Sequence, residues 1–359
     1  MLLLVGGYTQ DIDPDTPGRA RGISAYDFVA GSGELQFRGY VPELNPSYLA
    51  TDPERKIVYC VREATAGGGA AVAAYALRRE RNRRITFEPR GEQPVRGDAP
   101  CHLTLADRTL AVCCYSSGSL HFYPLDGDGR IGPATQECHL SQGSAANECR
   151  ESGPRAHALA YDRRRGRYYV CDLGCDTLRV FERRADGSPH ARPEWNLPLP
   201  PGGGGGPRHI LLHPGGDLAF VNCEYHGKAH LLDLSGPEGP RLLHTGNYLP
   251  ERVLDQAHGA AIRSDAAGKN VYVSDRSFHV ITTLRLDRGG PSLNFRDTTP
   301  SGGEHPRDFV LSPDGRWLLA ANFLSDSISV FATSAKGTLK LLRTNTAIPS
   351  PTTLSWLRI

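Results

Sequence analysis

GPRAHALAYDRRRGRYYVCDLGCDTLRVFERRADG, residues 153–187, is the stretch on which the fold turns. It opens with a proline and two basic residues, Arg155 and His157, and runs into an alternating apolar segment. A charged turn follows at 162–166, then a second apolar run at 168–171. A polar loop carrying Asp172 and Asp176 leads into a third run at 178–181, which stops at Ala-Asp-Gly. Period-2 alternation and apolar runs of four to six residues, punctuated by Gly and Asp, predict short β-strands joined by tight turns.

The same pattern recurs on both sides. Copies begin at 45 (NPSYLATDPERKIVYCV), 99 (APCHLTLADRTLAVCC), 206 (GPRHILLHPGGDLAFVNCE), 258 (HGAAIRSDAAGKNVYVSD) and 305 (HPRDFVLSPDGRWLLAAN). The anchoring prolines are at 46, 100, 154, 207, 306 and 351, with His258 standing where the fifth would be. A spacing near fifty residues with about four strands per unit is the signature of propeller blades. Strands expected at 2–8, 22–28 and 35–40 lack a proline-type first strand, and the C-terminal SPTTLSWLRI (350–359) supplies one. The expectation is all-β: a single seven-bladed propeller over 1–359, its last blade closed by N-terminal strands plus the C-terminal strand. Such closure leaves no open sheet edge.

Composition agrees. Glycine (40) and proline (27) are abundant, there is one Met, and no dozen-residue stretch shows helical periodicity. A net charge of +2 gives no reason to expect nucleic acid or an acidic membrane surface as a partner. The opening MLLLVGGYTQ (1–10) is too short in its apolar run for a signal core or a membrane span. Nine cysteines in no regular framework and without zinc spacing read as buried reduced thiols of a cytoplasmic protein. The glycine run 202–206 lacks the Lys-Ser/Thr that would make it a phosphate loop and reads as a flexible connection between blades.

Antiparallel connectivity sorts the polar residues onto two faces. The turns at 52–56, 162–166, 213–217, 264–269 and 312–316 fall on one face and read as ordinary solvated turns. The other face receives the starts of the first strands (strand a) and the loops between the second and third strands (b and c). There Cys101, His102, Arg155, His157, Arg208, His209, His258, His305, Arg307 and Asp308 meet Tyr8, Glu63, Tyr115, Asp172, Asp176, Glu224, His226, Asp275, Arg276, Asn322 and Asp326. Arg and His recurring at one channel mouth are costly to hold without an anionic ligand. For His102, His226, His258 and Asp326 taken singly, the simpler reading is a satisfied turn residue.

Together VGGYT, GISAYDF, NPSYLA, GPRAHA, DLGCD, GPRHI, NCE, HPRDF and SDSISVF resemble the seven-bladed propeller lactonases, a family with bacterial 6-phosphogluconolactonases and the fungal carboxy-cis,cis-muconate lactonising enzyme. The resemblance implies a metal-independent, cofactor-free lactone hydrolase acting on a small anionic sugar-derived lactone. Carried over by position, it implies His157, Arg208, Glu224, Arg276 and Arg307 as the site. His157 or Glu224 would be the base, Arg276 would assist catalysis, and Arg208 and Arg307 would anchor the anion. Arg155, His209, Asp172, His102 and Asp275 join them as substrate-binding candidates. Two departures stand out: Arg155 where the family usually has His, and Asp275 where it usually has Asn. They leave open a muconate-type lactonising cycloisomerase. A non-catalytic interaction propeller, monomeric or weakly self-associating like the enzyme, is the reading from another class.

Overall fold

The second strand of each repeat is apolar at nearly every position, and burial on both of its faces explains why. IVYCVR at Ile57–Arg62, RYYVCD at Arg167–Asp172 and NVYVSD at Asn270–Asp275 are almost wholly buried. A strand covered by a sheet on each side has no polar face, so it reads as an unbroken run. The outermost strands alternate or stay exposed, as at Gln136–His139 and Leu339–Asn345.

The computed structural model describes residues 1–141, 153–199 and 204–359. Its strands form seven separate sheets, each with a four-strand antiparallel path. Blade 1 comprises Leu49–Asp52, Ile57–Arg62, Ala71–Arg79 and Ile85–Pro94; blades 2 to 6 start at Pro100, Ala156, Pro207, Gly259 and Pro306. In blade 7 the C-terminal Pro351–Leu357 pairs with Leu2–Gly7, which pairs in turn with Ile23–Val29 and Glu34–Val41. The ring closes as the sequence predicts, Leu3 lying opposite Trp356 and Val5 opposite Leu354.

Seven apolar clusters hold the blades, one between each neighbouring pair. Leu2, Leu4, Ile23 and Ala25 of blade 7 pack on Val58, Cys60 and Leu77 of blade 1. Leu3, Val5, Phe28 and Leu354 pack on Leu319 and Val330 of blade 6. Each buried Leu, Ile or Phe contributes about 1.5–3 kcal/mol, so the closing strand is secured on both sides. Helix is limited to short 3-10 turns such as Glu251–Gln256, and among the described residues no helix is long and apolar enough to cross a membrane.

Several local expectations need correction. Register puts Ala156, not Pro154, in the place held by Pro100, Pro207 and Pro306. In blade 5 that place belongs to Gly259 rather than His258, and a Cβ there would lie 2.3 Å from the Cys223 carbonyl oxygen. The charged turns are not simply solvated. Arg164 and Arg165 donate to the carbonyls of Gly215 and Gly216, and Arg55 to that of Gly127, tying each blade to its neighbour. Among the described residues seven cysteines are free thiols, but Cys175 is disulfide-bonded, against the expectation of uniformly reduced cysteines. Gly202 and Gly203 of the glycine run lie outside the described residues; Gly204 and Gly206 donate their amides to Asp176 at 2.7 Å.

Candidate active site

Two backbone devices, repeated around the ring, aim side chains at the channel mouth. In the first, the residue after strand b donates its amide to the carbonyl just before strand a. Glu63 does so to Asn45, Tyr115 to Ala99, Leu173 to Arg155, Glu224 to Gly206, Arg276 to His258 and Phe323 to His305, at 2.8–3.1 Å. In the second, the pairing slips by one residue near the start of strand a. The unpaired residue is Cys101, His157, Arg208, Arg307 or Thr352 in five blades. A bulge of this kind increases the local twist and re-aims one side chain. The two rings of positions meet at a cavity of about 530 Å³ lined by Tyr8, Glu63, Tyr115, Cys101, His157, Arg208, Glu224, Arg276, Arg307 and Thr352. His209, His258, His305, Tyr48 and Asp308 complete its wall, and Asp13 and Asp15 of the loop at 9–20 stand at its rim.

Glu224 is the hub. Its Oε2 accepts from Arg208 Nε at 2.9 Å and lies 3.0 Å from Arg276 Nη2, while Oε1 is 3.2 Å from His258 Nε2. Burial pushes its carboxyl up, but Arg276, the His258 hydrogen bond and Arg208 outweigh burial and hold it well below the usual carboxylate range. Arg208 is in turn brought down to about 10 by burial and by repulsion from Arg276, so it stays charged at neutral pH. Arg208 also donates to the Ala260 carbonyl at 2.7 Å, and Arg276 to those of Gly259 and His258.

Opposite this cluster, Arg307 Nη2 donates to the Tyr8 hydroxyl at 2.6 Å, and that hydroxyl donates to Glu63 at 3.1 Å. Burial above all keeps the Tyr8 phenol protonated. His157, His209 and His102 stand in file, with ring centroids 5.4 and 5.7 Å apart. Burial first, then the arginines, pushes all three well below the usual imidazole range and leaves them neutral. Nδ1 of His157 is buried without a protein partner. His209 Nε2 faces Arg208 Nη1 at 3.2 Å and so acts as acceptor, since guanidinium only donates. Among the described residues no group of three His, Cys, Asp or Glu is set to hold a metal ion.

Of the sequence candidates, His157, Glu224, Arg276, Arg208, His209 and Arg307 share the cavity. The other four point elsewhere. Asp172 is fully buried and accepts from the Arg155 and Cys175 amides and from Arg179 at 2.8 Å. Asp275 does the same work in blade 5, for the amides of His258, Ser277 and Phe278. Arg155 turns sideways to the Ser116 carbonyl and the Tyr115 ring. His102 is outside the cavity lining, its ring tilted against Tyr48 at 4.1 Å. Sequence reasoning placed Tyr8 and Glu63 on this face without choosing them. Aligning the blades position by position would have found them, because they occupy the place of Glu224 and Arg276.

Comparison with known proteins identifies the family and the fold. The family profile described as "Lactonase, 7-bladed beta-propeller" matches residues 2–356. A 6-phosphogluconolactonase of Bacillus subtilis is 27% identical over 348 residues, covering 95% of this chain and 96% of that protein. Another of that name from Formosa agariphila is 26% identical, covering 92% and 91%. The solved structure of a periplasmic gluconolactonase from Pseudomonas aeruginosa superposes with a TM-score of 0.88 at 26% identity, covering 100% of this chain and 99% of that one.

Proposed function

This chain belongs to the seven-bladed β-propeller lactonase family, and on that premise we propose that it hydrolyses a small hydroxylated lactone carrying one anionic group, of the 6-phosphogluconolactone type. The carrying observation is a carboxylate, Glu224, that fixes two guanidiniums in the same cavity as a neutral imidazole, His157, whose Nδ1 has no protein partner. Opening a lactone needs a group to take a proton from water and positive charge where the carbonyl oxygen becomes an oxyanion. Glu224 suits the first task poorly, because Arg208, Arg276 and His258 already claim both its oxygens. We therefore assign water activation to His157 and orientation of the arginines to Glu224. Arg208 and Arg276 stabilise the oxyanion, while Arg307, held by Tyr8, anchors the substrate's anionic group through its planar fork.

Burial first, and then repulsion from the arginines, keeps His157 neutral; an anion bound there offsets the repulsion, so its basicity rises when substrate is present. The rim carboxylates Asp13 and Asp15 favour a substrate with a single charged end, seated on the floor. A phosphorylated substrate accords with a cytoplasmic location, and an unphosphorylated one with the compartment named for the Pseudomonas relative. The test is a proton-release assay on 6-phosphogluconolactone and glucono-δ-lactone, with muconate absorbance as the control for cycloisomerisation. Turnover of either lactone supports the proposal. Turnover of muconate alone, or of nothing, overturns it.

A further inference from the structure

The residue just before the proline-type position of strand a takes a left-handed turn in most blades. It is Asn45, Ala99, Gly206, His305 and Ser350 in five of them, with φ of 40°, 54°, 62°, 60° and 42°. This left-handed conformation suits Gly and Asn and costs about 1–2 kcal/mol for other residues. Four of the five carry small side chains. Ala99 and Ser350 show that the turn needs no imidazole, yet His305 has one.

His305 is part of the cavity wall. Its ring packs edge-on against Phe323 at 5.5 Å, and its Nε2 is buried with no protein partner. Burial and the neighbouring Arg276 and Arg307 push its pKa down to about 2, so the ring is neutral between two cations. A buried, unpaired polar atom costs about 1–3 kcal/mol, which adds to the backbone cost of the same residue. Nothing in the described fold repays either.

We infer that His305 contacts the substrate directly, its Nε2 exchanging a hydrogen bond with a hydroxyl of the lactone on the side of the ring between Arg276 and Arg307. A hydroxyl both donates and accepts, so it satisfies either imidazole tautomer. This deepens the hydrolase reading and rests on it for the identity of the ligand.

His305→Asn and His305→Ala are both compatible with the turn, since Asn45 and Ala99 adopt it. On glucono-δ-lactone both variants lose about 5- to 100-fold in kcat/KM, the range expected for an unpaired polar contact, with melting temperature kept or raised. Among deoxy analogues of that lactone, the one lacking the hydroxyl read by His305 is turned over equally by wild type and variants. Histidine-labelled wild-type protein, titrated with gluconate or 6-phosphogluconate, shows the His305 ring resonance moving on binding.

Unchanged kcat/KM in both variants overturns the inference while leaving the hydrolase reading intact. So does an equal loss on every deoxy analogue, or failure of both variants to fold, since either makes His305 a structural residue. A moving His305 resonance without turnover of any lactone keeps the contact and sinks the hydrolysis. A silent resonance without turnover sinks both.

Discussion

Glu224 and Asp172 are both buried acids paired with arginine, yet they do different work. Glu224 faces an open cavity, and His157, whose Nδ1 has no protein partner, lines it too. Asp172 has no exposure, and its contacts are two amides and Arg179 of its own blade. His157→Ala should therefore lower kcat by about 10²–10⁴-fold, the usual weight of a general acid–base group, with the melting temperature little changed. Glu224→Gln should lower kcat comparably by releasing both arginines. Steady-state kinetics beside a thermal melt separates these from a folding defect. Asp172→Ala should instead cost about 3–5 kcal/mol of stability by leaving the Arg179 charge buried and unpaired. Denaturant titration reads that loss, and the protein that still folds should keep its KM.

At the level of the strand, the bulge at the start of strand a decides which residue faces the cavity. Pairing would otherwise send alternate residues into the cores between blades. Gly259 marks a close approach, where a Cβ would also lie 2.5 Å from the Tyr248 hydroxyl. Gly259→Ala should cost at least about 1–3 kcal/mol through overpacking and should disturb Arg276, whose guanidinium donates to the Gly259 carbonyl. A lowered denaturation midpoint with a raised KM is the expected pair of results.

Deeper in blade 4, His230 bridges Cys223 and Thr245 and is held neutral by burial, its pKa pushed down to about 4. The unfolded chain protonates this histidine near pH 6.5 and the folded one does not. Its contribution is therefore complete above pH 6.5 and falls as the pH drops towards 4. Down to pH 5 the loss is about 2 kcal/mol. His102, brought to about 3 mainly by burial, acts in the same direction. The melting temperature should decline from pH 6.5 downward, and His230→Gln should flatten that slope.

Over the whole molecule, closure by the last strand links the ends of the chain. Deleting residues 350–359 would bare Leu3, Val5 and Phe28 and free an edge of the strand Leu2–Gly7. The truncated protein should melt at a much lower temperature and aggregate, as scanning calorimetry and size-exclusion chromatography would show.

The sequence alone determined the blade count, the strands and the closing segment. These follow from alternation and turn chemistry, which act over about ten residues, and from a repeat that needs no knowledge of neighbours. It also brought His157, Arg208, Glu224, Arg276 and Arg307 onto one face, because antiparallel connectivity assigns every loop a side. Tertiary structure alone decided which polar residues on that face are occupied and which remain open to a ligand. Asp172, Asp275 and Arg155 share the face with Glu224, but backbone groups of their own and adjacent blades use up their hydrogen-bonding capacity. Tyr8, Glu63 and His305 are on that face by connectivity too, but their place in the cavity wall depends on residues of several blades meeting there. A hydrogen bond is filled by whatever lies within about 3 Å, and for these residues that neighbour is often dozens of positions away in the chain.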